Sequence, residues 1–119
     1  MVKLSPSVLS ADFLQFTDTI KVFEENGVDM LHLDVMDGIF VPNISFGVPV
    51  IESIRKHTNI PLDVHLMIDE PIRYLEDFKK AGADIITVHY EATDDVMGCL
   101  NKIKECGVRC GLVINPDTN

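Results

Sequence analysis

Apolar residues recur along the chain with two periods, and the switching between them predicts strands and helices in strict alternation. Five segments rich in Val, Ile and Leu read as strands: Leu4 to Leu9, Met30 to Met36, Leu62 to Met67, Ile85 to Tyr90 and Val108 to Ile114. Four helical patterns separate them. In Phe13 to Asn26 the residues Phe13, Phe16, Ile20 and Phe23 fall three or four apart, and Gly27 is the stop signal. The others are Val48 to Lys56, Pro71 to Ala81 with its proline suited to a first turn, and Asp94 to Cys106.

Three junctions share one grammar: Asn26-Gly27-Val28-Asp29, Ala81-Gly82-Ala83-Asp84 and Cys106-Gly107-Val108-Arg109 each end a helix, turn at a Gly and enter a strand. Such αβ units favour parallel pairing through right-handed crossovers, which leaves a doubly wound sheet or a (β/α) barrel. The strand faces separate these two. Leu31, Leu33 and Val35 share one face of the second segment, and His32, Asp34 and Met36 share the other. The third segment repeats this, with Leu62, Val64 and Leu66 set against Asp63, His65 and Met67. A doubly wound sheet wants both faces apolar, whereas a barrel offers a polar inner face near the strand ends. Ser10-Ala11-Asp12-Phe13 also lacks the Gly-rich turn of a dinucleotide fold. A (β/α) barrel wall, with helices over its apolar outer face, is the architecture the pattern favours.

Composition narrows the partners. A formal charge of −9 argues against a nucleic-acid backbone, while one small phosphate needs only a few backbone N–H groups. No apolar run approaches the ~18 residues of a membrane span, so the expectation is a soluble, cytoplasmic protein with no membrane partner. Cys99, Cys106 and Cys110 make an odd count without C-x-x-C spacing, which points to reduced thiols, with Cys99 and Cys106 on one helical face toward the core.

His32-Leu33-Asp34 sets an imidazole and a carboxylate on one face of one strand, and His65 on the next strand lies about 5 Å away laterally if level with them. Three ligands could then converge on one divalent ion, and mixed His and carboxylate ligation suits Zn, Fe, Mn or Co better than Ca or Mg. A satisfied polar network in the core is the competing use of the same residues.

Longer runs carry a resemblance. Ser5-Pro6-Ser7-Val8-Leu9-Ser10-Ala11-Asp12 and His32-Leu33-Asp34-Val35-Met36-Asp37-Gly38, with Phe40-Val41-Pro42-Asn43 and Phe46-Gly47, resemble the motifs of ribulose-phosphate 3-epimerases. Asp63-Val64-His65-Leu66-Met67, His89 with Glu91-Ala92, and Gly111-Leu112-Val113 with Asn115-Pro116 extend the resemblance over essentially the whole chain.

The resemblance implies a (β/α)8 barrel that interconverts ribulose 5-phosphate and xylulose 5-phosphate with one bound divalent metal. His32, Asp34 and His65 would be metal ligands, and Asp34 also one of two acid/base carboxylates. Ser7 and His65 would contact substrate, and Met36 and Met67 would line the space around the reacting carbon, with core packing as the alternative for the methionines. The residue types suit inversion of a carbon next to a ketone, where one carboxylate removes a proton, a Lewis acid stabilises the enediolate and a second acid protonates the other face. Asp37 reads as structural. His89 and Glu91 read as support or substrate contacts rather than ligands.

One feature departs from the family: a barrel of this kind takes about 200 residues or more, and the resemblance places the second catalytic Asp and the phosphate loops on later strands. The expectation is therefore a partial (β/α)8 barrel truncated after its fifth strand, with residues 1–119 the N-terminal part of one domain of a longer protein, a homo-oligomer at full length, and with little or no activity alone; a half barrel that assembles with another half is the competing explanation. Allulose-6-phosphate 3-epimerisation and a non-catalytic half barrel are the alternatives.

Overall fold

A computed structural model describes residues 2–118, so the first and last residues of the expected 1–119 domain lie outside it. Four parallel strands, β1 (Leu31–Met36), β2 (Leu62–Met67), β3 (Ile85–His89) and β4 (Arg109–Val113), form one sheet in the order of the chain. Helices α1 (Phe16–Glu25), α2 (Val48–His57), α3 (Leu75–Ala81) and α4 (Val96–Glu105) alternate with them. Neighbour-to-neighbour order with a helix between each pair is a partial barrel wall rather than a doubly wound sheet, whose order would reverse.

Alternation along β1 and β2 is complete. Leu31, Leu33, Leu62, Val64 and Leu66 are fully buried under the helices, and Val35 nearly so, while every intervening residue is half-buried. Ile86 and Val88 continue the apolar layer, with Ile51, Leu75 and Ile103 from the helices against it. At β4 the outer layer is uncovered, and Leu112 is exposed.

The first expected strand, Leu4 to Leu9, does not form, so the sheet has four strands and not five. The segment runs parallel to β1 but touches it only at intervals. The Leu4 carbonyl accepts from Asp29 and Met30, the Pro6 carbonyl accepts from His32, and Ser7 makes an isolated parallel bridge to His32. Pro6 has no N–H to return, and the Leu4 N–H is spent on the Asp29 carboxylate, so a continuous ladder cannot build. Val8–Ser10 then turns as a 3-10 helix.

α4 starts at Val96, two residues after the expected Asp94, with Asp95 as its cap, and two further helices are preceded by a 3-10 turn. Phe13–Gln15 is a 3-10 turn before α1, capped by Asp12, whose side chain accepts from the Leu14 N–H. The expected helix from Pro71 breaks at Tyr74, where φ is −124° and ψ 2°, into a 3-10 turn over Pro71–Arg73 and then α3. Proline supplies the preset first turn, but its conformation does not carry through Tyr74 into α3.

Candidate metal centre on the inner face of the sheet

Register decides what the inner face brings together. β1 and β2 pair so that His32 is level with Asp63, Asp34 with His65 and Met36 with Met67. Since side chains alternate, a slip of one strand by one residue would have sent its three to the helix layer and its buried leucines or valine to the inner face, which their burial prevents. His65 thus stands beside Asp34, the carboxylate of the cluster.

The Asp34 carboxylate is the hub. Its Oδ1 lies 2.9 Å from His32 Nε2 and 3.2 Å from His65 Nδ1, and its Oδ2 accepts from the Ser7 hydroxyl at 2.9 Å. One ligand atom from each of His32, Asp34 and His65 lies within 4.8 Å of the other two. Ser7 reaches Asp34 because the N-terminal segment, though not a strand, bridges to β1 at that residue.

A fourth residue completes the support for His32. Asp63 Oδ2 is 2.9 Å from His32 Nδ1 and also accepts from the Ser5 hydroxyl at 3.2 Å. His32 therefore lies between two carboxylates, groups that only accept, and a proton on each ring nitrogen satisfies both. The hydrogen bond to Asp63 raises the His32 pKa most; burial opposes it, and the charges of Asp34 and Asp63 add to the rise. Asp63 is held below the usual carboxylate range, mainly by the same bond. His65 moves the other way: burial and then the neighbouring His89 lower its pKa against the pull of Asp34.

Beyond His65 stands His89, at the end of β3, with its Nε2 2.7 Å from His65 Nε2 and its ring 5.0 Å from that of Phe40. His89 is 6% exposed, and its Nδ1 has no hydrogen-bond partner among the described residues; Glu91 Oε1 is 3.8 Å away. Glu91 is occupied elsewhere, accepting from the Asn115 N–H and the Thr118 hydroxyl. Level with His65 on the next two strands are Thr87 and Gly111, and a Cβ at Gly111 would come 2.5 Å from Thr87 Oγ1.

Asp37 leaves the cluster. Its Oδ1 accepts from the N–H groups of Ile39 and Phe40, and its Oδ2 accepts from Asp69 N–H, each at 2.8 Å, which ties the loop after β1 to the loop after β2. The chain turns at Gly38 with φ +74°, and any Cβ there would also meet Ile44 Cγ1 at 2.9 Å.

The donor set fits a divalent cation. Two imidazoles and a carboxylate converge from two strands locked in register, with Asp63 orienting His32 from behind as metal-ligating histidines require. A cation would replace the proton on His32 Nε2. Met36 and Met67 stand side by side, two residues along from Asp34 and His65.

The partners of these residues were hidden in the sequence. Asp63 carried a visible signal, its place two residues before His65 on the same face, but its contact with His32 needs the β1–β2 register. Ser5 carried none.

Comparison with known proteins agrees with the motifs. Residues 3–119 match the model of the ribulose-phosphate 3 epimerase family. The chain is 52% identical over 118 residues to the ribulose-phosphate 3-epimerase of Bacillus subtilis (strain 168), covering 99% of this chain and 54% of that protein. It is 50% identical over 119 residues to the enzyme of that name from Synechocystis, covering 98% of this chain and 52% of that one. The chloroplastic ribulose-5-phosphate-3-epimerase of Arabidopsis thaliana is 49% identical over 117 residues, 97% of this chain and 42% of its own length. The chain thus spans about half the length of the curated relatives it matches. Among solved structures, a mutant tryptophan synthase α-subunit from Pyrococcus furiosus superposes with a TM-score of 0.72 at 15% identity, over 98% of this chain and 57% of that one. That likeness concerns the barrel fold alone.

Proposed function

The chain belongs to the ribulose-phosphate 3-epimerase family, and from that premise we propose that its inner face is the metal-holding part of a ketose-phosphate 3-epimerase. The substrates would be D-ribulose 5-phosphate and D-xylulose 5-phosphate, and residues 1–119 the N-terminal part of a single barrel domain in the cytoplasm. Among the described residues, no helix is long and apolar enough to cross a membrane. The observation that carries the reading is the convergence of His32 Nε2, His65 Nδ1 and Asp34 Oδ1.

His32, Asp34 and His65 would hold the ion, a Zn, Fe, Mn or Co species by donor type. When bound, it would act as a Lewis acid toward the substrate's ketone and hydroxyl oxygens. Asp34 is the base of this reading. Its Oδ2, the oxygen turned away from both histidines toward Ser7, would accept the proton from the carbon next to the ketone. Ser7 donates to that same oxygen, so it orients the base and lies within reach of substrate. Met36 and Met67 would shape an apolar wall along which the sugar carbon is presented without competing hydrogen bonds. Inversion needs a second acid on the opposite face, which the resemblance places on a later strand. The chain alone is accordingly expected to show little or no turnover.

Metal binding tests this reading without turnover. The purified chain should retain stoichiometric Zn2+ after gel filtration, measured by elemental analysis, and His32→Ala and Asp34→Asn should each lose it. Unchanged metal content in both variants would sink the site.

A further inference from the structure

His65 is gripped at both ends of its ring: Nδ1 lies 3.2 Å from Asp34 Oδ1, and Nε2 lies 2.7 Å from His89 Nε2. The two rings are within 17° of parallel with centroids 4.8 Å apart. Nitrogens this close at that centroid separation meet edge to edge, so the contact is an N–H···N hydrogen bond and not a stack of faces. Between two neutral imidazoles only one proton fits in such a bond, and which ring owns it decides what His65 can do.

If His89 owns the proton, His65 carries its own on Nδ1, donates it to Asp34 and has no lone pair for a cation. If His65 owns it, the Nδ1 lone pair is free and faces the cluster. The other nitrogen of His89 distinguishes the two states. In the first, a bare lone pair at the buried Nδ1 of His89 faces the Glu91 carboxylate across 3.8 Å. In the second, an N–H does. Glu91 is anchored by the Asn115 N–H and the Thr118 hydroxyl, so the carboxylate that prefers the second state is fixed in place.

Resting on the cation reading above, we propose that His89 is a positioning residue: its Nε2 accepts a hydrogen bond from the Nε2–H of His65 when a cation binds, which leaves His65 Nδ1 free as the ligand atom. Passing from the first state to the second, the bridging proton shifts from His89 to His65. One proton leaves His65 Nδ1, and one is taken up at His89 Nδ1. Both rings stay neutral, and the pair releases no net proton. The result is a chain from Glu91 through His89 and His65 to the ion, the supporting arrangement that fixes ring orientation and ligand basicity at metal-bound histidines.

Two measurements on the full chain with Zn2+ alone test it. Nitrogen-15 NMR of the loaded protein should place the His65 proton on Nε2 and the His89 proton on Nδ1; a proton on His65 Nδ1 in the loaded protein would overturn the proposal. His89→Phe keeps a ring against Phe40 but cannot accept, and chelator competition should show Zn2+ held 10- to 100-fold more weakly. His89→Gln, which offers a carbonyl oxygen, should recover part of that loss. A His89→Phe protein that melts cooperatively and binds Zn2+ as tightly as the parent would refute the relay. Should His89→Phe fail to fold, the NMR result on the parent decides. Absence of Zn2+ binding by the parent would instead strike the site itself, so the two failures are distinguishable.

Discussion

The two faces of β1 and β2 are made from alternate residues of the same six-residue strands, yet they are held by different physics. On the outer face Leu31, Leu33, Leu62, Val64 and Leu66 are fully buried, and each is held by the area it removes from water. On the inner face His32, Asp34, Asp63 and His65 are half-buried and held by directional contacts among themselves. The outer face is specified by apolar character and volume, whereas the inner face depends on which residue stands opposite which. Stability should therefore reside on one side and ion binding on the other.

The largest effect should come from the outer face. Leu33→Ala removes a fully buried side chain between β1 and the helix layer, and a cavity of that kind costs about 2–5 kcal/mol in chemical denaturation. If the comparison holds, the part of the protein that remains folded should bind Zn2+ with unchanged affinity. A weakened site in the folded protein would mean that the two faces are not separable.

Asp63→Asn is the converse probe and should be smaller. Asparagine can still accept from His32 Nδ1, but it no longer brings the charge that raises the His32 pKa and strengthens its basicity as a ligand. Zn2+ affinity should fall 10- to 100-fold, equivalent to about 1.4–2.7 kcal/mol, with little change in the melting temperature of the metal-free protein. Equal affinity in parent and variant would show that Asp63 only fills space.

The contrast also explains what could be read in advance. The outer face was legible because period-two alternation needs no partner to be seen, and β2 spans Leu62–Met67 as expected from its pattern. His32, Asp34 and His65 could be grouped for the same reason, from their place on one face of two strands. What stayed hidden depends on another segment. Asp63 acquires its contact from the register with β1, and His89 from the end of β3 reaching His65. Leu4 to Leu9 had the composition of a strand, but Pro6 and the side-chain capture of the Leu4 N–H removed its ladder. In Pro71 to Ala81 the helical spacing continued across Tyr74 although the backbone did not.

Asp37 extends the comparison to a carboxylate held by neither imidazole nor cation. Three backbone N–H groups satisfy it, from Ile39, Phe40 and Asp69, so it acts as a clamp between two loops at the mouth end of the sheet. Desolvation pushes its pKa up, but the N–H groups of Asp69, Ile39 and Phe40 outweigh it and hold the carboxyl below its ordinary 3.8. A depressed folded pKa means that the ionised form is preferred in the native state, so its contribution is present above about pH 4 and fades as pH falls through the lower, folded value. Asp37→Ala should cost about 1 kcal/mol at pH 7, since solvent still reaches the loop and the freed N–H groups can turn to water. The difference in melting temperature between parent and variant should stay level from pH 7 to about 4 and shrink below that. Zn2+ affinity should be unaltered, because Asp37 makes no contact with His32, Asp34 or His65. A stability difference that persists unchanged well below pH 3 would show that the clamp works through packing rather than through its charge.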